Sequence, residues 1–132
     1  MIELVHWISG EKITMQAIMI GTDIQVLAYG GDKPHIGAVS LAVPFERDGK
    51  VGASVSTLTA LTHREDQISR QLAESFCKHF NAHVAVSCGI HFNQISKELI
   101  VQIQDEVLDM GHTLVLKLQT QKTESSMNDK KK

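Results

Sequence analysis

Only two cysteines, Cys77 and Cys88, occur in the 132 residues, and they form neither a CxxC pair nor a zinc-ligand pattern. Two are too few for a disulfide framework, and a reducing cytosol is the simplest setting for such a chain. Charge of one sign is lacking too: 13 Lys and Arg stand against 15 Asp and Glu, a formal net charge of −2. With a single Trp and a single Tyr besides, the chain has neither the basic face nor the stacking aromatics of a nucleic-acid binder. No apolar run approaches the length of about 18 residues that would suggest a membrane span, and residues 1–7 lack the basic and apolar regions of a signal peptide. Absent as well are a GxxxxGKS/T loop, a GxGxxG after a first strand and a GxSxG elbow, which weakens nucleotide hydrolase, dinucleotide oxidoreductase and serine hydrolase readings. What remains is a chain of 14.6 kDa, large enough for one domain with a core of its own.

Apolar periodicity divides the chain near residue 60. Before it, runs at 2–8 and 12–20 flank Ser9-Gly10-Glu11 as a hairpin, and a strand at about 24–29 leads into a glycine-rich loop. Ile36 to Val43 reads as the next strand, ended by Pro44, and the turn Arg47-Asp48-Gly49-Lys50 reverses it into about 51–58. After residue 60, Thr62 and Glu65 have the spacing of a capping box, and Ile68, Leu72, Phe76 and Phe80 form one apolar stripe of a helix. Residues 83–88 read as a short buried strand broken by Gly89. Ser96 is placed to cap a second helix, with Leu99, Ile103 and Val107 on one face and Gly111 as its stop. Leu114, Leu116 and Leu118 alternate, which favours a short added strand over helical continuation, and residues 120–132 are polar and aperiodic, the composition of a disordered tail. The expected architecture is α+β: one domain over residues 1–119, a mostly antiparallel sheet of about six strands with two helices packed on one face.

The polar residues that could carry chemistry gather at element ends. Gly30, Gly31 and Gly37 permit close backbone approach, and Pro34 stiffens the loop that presents Lys33 and His35. Exposed amides, a cation and a titratable ring suit an anion such as phosphate; the same residues also make an ordinary glycine-rich turn. At the first helix start, Arg64 adds a forked donor beside His63, against the usual preference for acids in a first turn. His91 follows Gly89 at a strand end, where the glycine admits a ligand or another backbone. Cys88 could act as a nucleophile only with a base such as His91 or His63 and a lowered pKa, and a buried structural thiol is the better account of it. His79 and His83 have i, i+4 spacing but no third ligand, so a metal site is not expected there.

Gly30-Gly31-Asp32-Lys33-Pro34-His35-Ile36-Gly37-Ala38, followed by Thr62-His63-Arg64-Glu65-Asp66 and Gly89-Ile90-His91, in this order, resembles the LpdD-like family, the subunit-D proteins of gallate decarboxylase. The resemblance covers about residues 1–110. It implies a fold related to proteasome-assembly chaperones and a non-catalytic accessory protein. Such a protein binds prenylated FMN, or FMN, and delivers it to or matures it for a UbiD-type aromatic-acid decarboxylase. It implies a homodimer as well. In that reading a flavin phosphate lies on the loop amides of Gly30, Gly31 and Gly37 with Lys33 or Arg64, while His35, His63 and His91, beside Gly89, address ring or ribityl oxygens. Two other classes stay open: an interaction or assembly-chaperone-like module with no small ligand, and a small enzyme using His and Cys acid-base chemistry.

Overall fold

The computed structural model describes residues 1–60 and 65–130. Six strands, β1 (Ile2–Ile8), β2 (Glu11–Ile20), β3 (Asp23–Gly31), β4 (Ala38–Arg47), β5 (Lys50–Thr59) and β6 (Val84–His91), and two helices, α1 (Glu65–Phe80) and α2 (Lys97–Lys130), follow one another along the chain. They form one sheet in the order β1-β2-β3-β6-β4-β5. Four of the pairings are antiparallel, and the central β3–β6 pair is parallel. The fold is therefore α+β with a mostly antiparallel sheet, as the periodicity implies.

Local chemistry closes the hairpins. Ser9 and Gly10 have φ of 48° and 79°, and Asp48 and Gly49 have φ of 53° and 75°, the left-handed pairs that two-residue turns between twisted strands require. The turn in front of β6 uses a single left-handed residue instead: Asn81, at φ 49°, stops α1 after Lys78 and His79, whose charge suits the helix C-terminus. Each strand then buries alternate residues. Met15 and Ala17 of β2, Val26 and Ala28 of β3, Val84, Val86 and Cys88 of β6 and Ala42 of β4 meet on one face of the sheet. Both helices cover that face: α1 lies over β4, β5 and β6, and α2 over β1 and β2 while touching α1. Phe76 is wholly buried between them; cutting it to Ala would cost about 3–5 kcal/mol. The hydroxyls of Ser40 on β4 and Ser69 on α1 are buried and 2.8 Å apart, and Ser40 also reaches Thr57 at 2.8 Å. This chain of hydroxyls fixes the start of α1 above β4 and β5.

Three punctuation signals have other uses here. Pro44 lies inside β4, opposite Ala53; β6 has left the pairing at Ala42, so no ladder bond is lost on that side. Gly89 lies within β6 rather than ending it. Gly111 does not stop α2: a Cβ there would lie 2.4 Å from Leu72 Cδ2, so the glycine lets α1 and α2 approach closely. The stretch 113–118 is helical and not a strand, because Leu114 and Leu118 continue the buried stripe of Ile103, Val107 and Met110 while Leu116 is 64 % exposed. The helix then runs on through residues 120–130, where composition suggested no regular structure, tied to α1 by Lys122 Nζ over the Phe80 ring at 5.0 Å and by His79 against Gln119. Ser96 does cap α2, its hydroxyl accepting from the Leu99 amide at 3.0 Å. Among the described residues, no helix is long and apolar enough to cross a membrane.

Candidate functional site

The parallel β3–β6 pair brings Gly31 and His91 side by side at the carboxyl ends of both strands. Carboxyl ends of adjacent parallel strands are where open sheets with parallel pairs commonly hold ligands. From Gly31 the chain must reach Ala38, whose partner is Cys88 on the other side of β6. Residues 32–37 therefore cross β6 as a strap, and the crossing explains the glycines. A Cβ on Gly31 would stand 1.8 Å from the His91 carbonyl oxygen, and one on Gly89 would stand 1.6 Å from that of His35. A Cβ on Gly30 would meet the Lys12 carbonyl at 2.3 Å. The close approach that Gly89 permits is thus to the protein's own backbone.

The strap amides are partly committed in the same way. Asp32 N–H donates to the His91 carbonyl and Gly37 N–H to the Cys88 carbonyl, both at 2.9 Å, and the Gly37 carbonyl accepts from Ala60 at 2.8 Å. A phosphate cradle drawn from Gly30, Gly31 and Gly37 does not fit this geometry, since Gly30 lies tight against β2 and the strap closes on β6. The side chains above it fit an anionic, ring-bearing ligand better. Lys33 is exposed, and the His35 and His91 rings are 6.4 Å apart, edge to face. His35 Nδ1–H donates to the Lys33 carbonyl at 3.0 Å, and His91 Nδ1–H donates to Asp32 Oδ1 at 2.7 Å. Each ring is thereby held in orientation, and His91 keeps Nε2 as its second polar atom. The hydrogen bond from His91, more than any other cause, holds the Asp32 carboxyl below its ordinary 3.8.

Of the residues expected from the sequence, Lys33, His35 and His91 meet here with Gly31 and Gly89 beneath them. His63 and Arg64 lie outside the described residues, as does the rest of the expected capping box before Glu65. Cys88 is buried in the core, and strand alternation puts it on the opposite face from His91, so the two form no nucleophile–base pair. Asp32 and Ile36 were missed. Asp32 is 59 residues from the ring it orients, a separation no local pattern reports. Ile36 is 70 % exposed on the strap, next to His35 in sequence; its place in an apolar run disguised it as strand.

Comparison with known proteins agrees with the motifs. A curated relative, "Protein LpdD" of Lactiplantibacillus plantarum (strain ATCC BAA-793 / NCIMB 8826 / WCFS1), is 28 % identical over 121 residues, covering 80 % of this chain and 77 % of the relative. Among solved structures, one described as a novel chaperone complex for yeast 20S proteasome assembly superposes with a TM-score of 0.45 at 17 % identity, covering 86 % of this chain and 96 % of that one. The family described as the prenylated flavin chaperone LpdD-like domain matches residues 8–119. That span takes in the strap, α1, β6 and most of α2, and the chain belongs to the prenylated flavin chaperone LpdD-like family.

Proposed function

We propose that this chain is a non-catalytic accessory protein that binds prenylated FMN, or FMN, at the strap and delivers it to or matures it for a UbiD-type aromatic-acid decarboxylase. The observation that carries the reading is the cluster of Lys33, His35 and the Asp32-held His91 at the carboxyl ends of β3 and β6, within the span matched by the family. Lys33 supplies the cation for the flavin phosphate, and Arg64 is assigned to the same task from its motif. His63 and His91 address ring or ribityl oxygens, His35 packs its ring beside them, and Ile36 covers an apolar part of the flavin ring. Gly30, Gly31, Gly37 and Gly89 serve binding indirectly, by letting the strap close. The protein acts as a homodimer in the cytoplasm.

Anaerobic calorimetry with prenylated FMN and with FMN tests this. Saturable binding is expected, weakened about 10-fold or more by Lys33→Ala with His35→Ala, in line with loss of charged hydrogen bonds. Mixing the loaded protein with an apo-decarboxylase should then restore decarboxylation. Unchanged affinity in the double variant would remove the ligand from the strap. No binding of either flavin would overturn the reading and favour a protein-interaction module, for which the uncovered apolar side of the sheet is the specific observation.

A further inference from the structure

The two edges of the sheet are built differently. On one side β1 ends it with seven residues, among which Glu3 accepts from Gln16 and His6 is tied to Glu106 of α2. On the other side β5 ends it with ten, and from Val51 to Thr59 it carries neither charge nor proline. Its register against β4 is one to one throughout, so no bulge turns it aside. Sheet edges are normally blunted by shortness, charge, proline or a bulge. Along this stretch β5 has none of these.

The free backbone groups of β5 follow from its pairing. The left-handed turn at Asp48-Gly49 makes Arg47 and Lys50 the closing hydrogen-bonded pair. At the far end the Ala60 amide donates to the Gly37 carbonyl. Both ends give the same alternation: even-numbered residues from Lys50 to Ala60 bond inward, while Val51, Ala53, Val55, Thr57 and Thr59 turn N–H and C=O outward. Helix α1 lies over the face of β4 and β5, and among the described residues no strand pairs with β5 on its outer side. A row of donors and acceptors repeating roughly every 7 Å is matched by another extended backbone.

The same edge leads to the strap. Thr59 stands opposite Ala38, where the strap joins β4, and the Ala60 amide holds the strap itself at Gly37, next to Ile36. A protein that takes a ligand from the strap must stand beside it, and a strand laid along β5 ends there. We infer that an extended, uncharged segment of the decarboxylase adds to the sheet along β5, bonding to Val51, Ala53, Val55, Thr57 and Thr59 and bringing that enzyme against the strap. Small side chains at Gly52, Ala53, Ser54 and Ser56 leave room for the alternate side chains of the incoming strand. A charged one would find no counter-charge on β5 between Val51 and Thr59. The inference rests on the delivery reading above, because that reading supplies the partner.

Calorimetry of the full chain against the apo-decarboxylase, with prenylated FMN present, tests it. Ala53→Pro and, separately, Thr59→Pro each delete one outward N–H and no bond to β4. Thr59 is exposed, so its replacement leaves the fold intact, and circular dichroism checks both variants. Each should weaken the complex about 10-fold or more, while Ala53→Pro binds flavin like wild type. In the wild-type complex the amides of Val51, Ala53, Val55, Thr57 and Thr59 should exchange with solvent about 10-fold more slowly, or slower still, than in the free chain. Folded variants that bind the decarboxylase like wild type, or outward amides that exchange equally fast in the complex, would overturn the inference and leave delivery standing. A wild type that binds flavin but no decarboxylase at roughly 100 μM would overturn both. Variants that alter only the sedimentation mass of the chain by itself would give the edge to a second copy and overturn the inference as well.

Discussion

Two histidine–carboxylate pairs sit near the same end of the sheet, on its opposite faces, and they are chemically almost the same. His91 meets Asp32 at 2.7 Å beside the strap; His6 of β1 meets Glu106 of α2 at 2.8 Å. Both carboxyls are held below their ordinary values, and in both the hydrogen bond from the imidazole is the largest cause, with Gln102 adding to it at Glu106. What differs is the backbone around them. Asp32 and His91 are joined by a main-chain hydrogen bond as well, over glycines with no room for a Cβ, with a second imidazole 6.4 Å away and an exposed lysine next in sequence. His6 and Glu106 touch by side chains alone, in a 310 Å³ cleft between β1 and α2, and tie an edge strand to a helix. A shifted carboxyl therefore marks a partner, and only the surrounding architecture distinguishes a site from a strut.

The largest effect should come from breaking the strap itself. Gly89→Ala drives a methyl into the His35 carbonyl, and Gly31→Ala adds positive φ of 83° to a clash with His91. Each should cost about 3 kcal/mol by overpacking and strain, visible as a lower denaturant midpoint, with flavin binding lost in the folded fraction. Next comes the direct contrast between the pairs. Asp32→Asn should weaken flavin binding about 10-fold, read by calorimetry, because an amide can hold His91 in the wrong tautomer. Glu106→Gln should leave that affinity unchanged.

Acid should act on both pairs alike. A carboxyl whose folded value is lowered stabilises the fold above its unfolded value, near 3.8 for Asp32 and 4.5 for Glu106, and that contribution disappears as pH falls through the lowered value. Denaturant midpoints of wild type, Asp32→Asn and Glu106→Gln should therefore differ at neutral pH and converge in acid. The smallest effect is expected at Gly111. Its Cβ would press on the end of one leucine side chain, and helix propensity favours the alanine, so Gly111→Ala should change stability by about 1 kcal/mol or less.

Gly89 and Gly111 also show where sequence reading stops. Strands β1 to β5 were legible to within a few residues because alternation and turn chemistry are local, and Ser9-Gly10 and Asp48-Gly49 announce their hairpins. The α1 stripe was legible for the same reason. Glycine and proline inside elements were misread as ends, since a sequence shows the missing side chain but not the neighbour that requires it: His35 above Gly89, Leu72 against Gly111. The Lys33, His35 and His91 cluster could be named from its motifs, yet Asp32 could not be paired with His91 until the parallel β3–β6 contact was known. Nor does alternation in β4 reveal which half of it faces the core; α1, seated on Ala38, Ser40 and Ala42, settles that.

The most direct test of the account is an anaerobic titration of His91→Gln and His6→Gln, in parallel with wild type, against prenylated FMN. The account predicts that His91→Gln binds at least about 10-fold more weakly while His6→Gln binds like wild type. Equal affinity in all three, or a loss confined to His6→Gln, would contradict it.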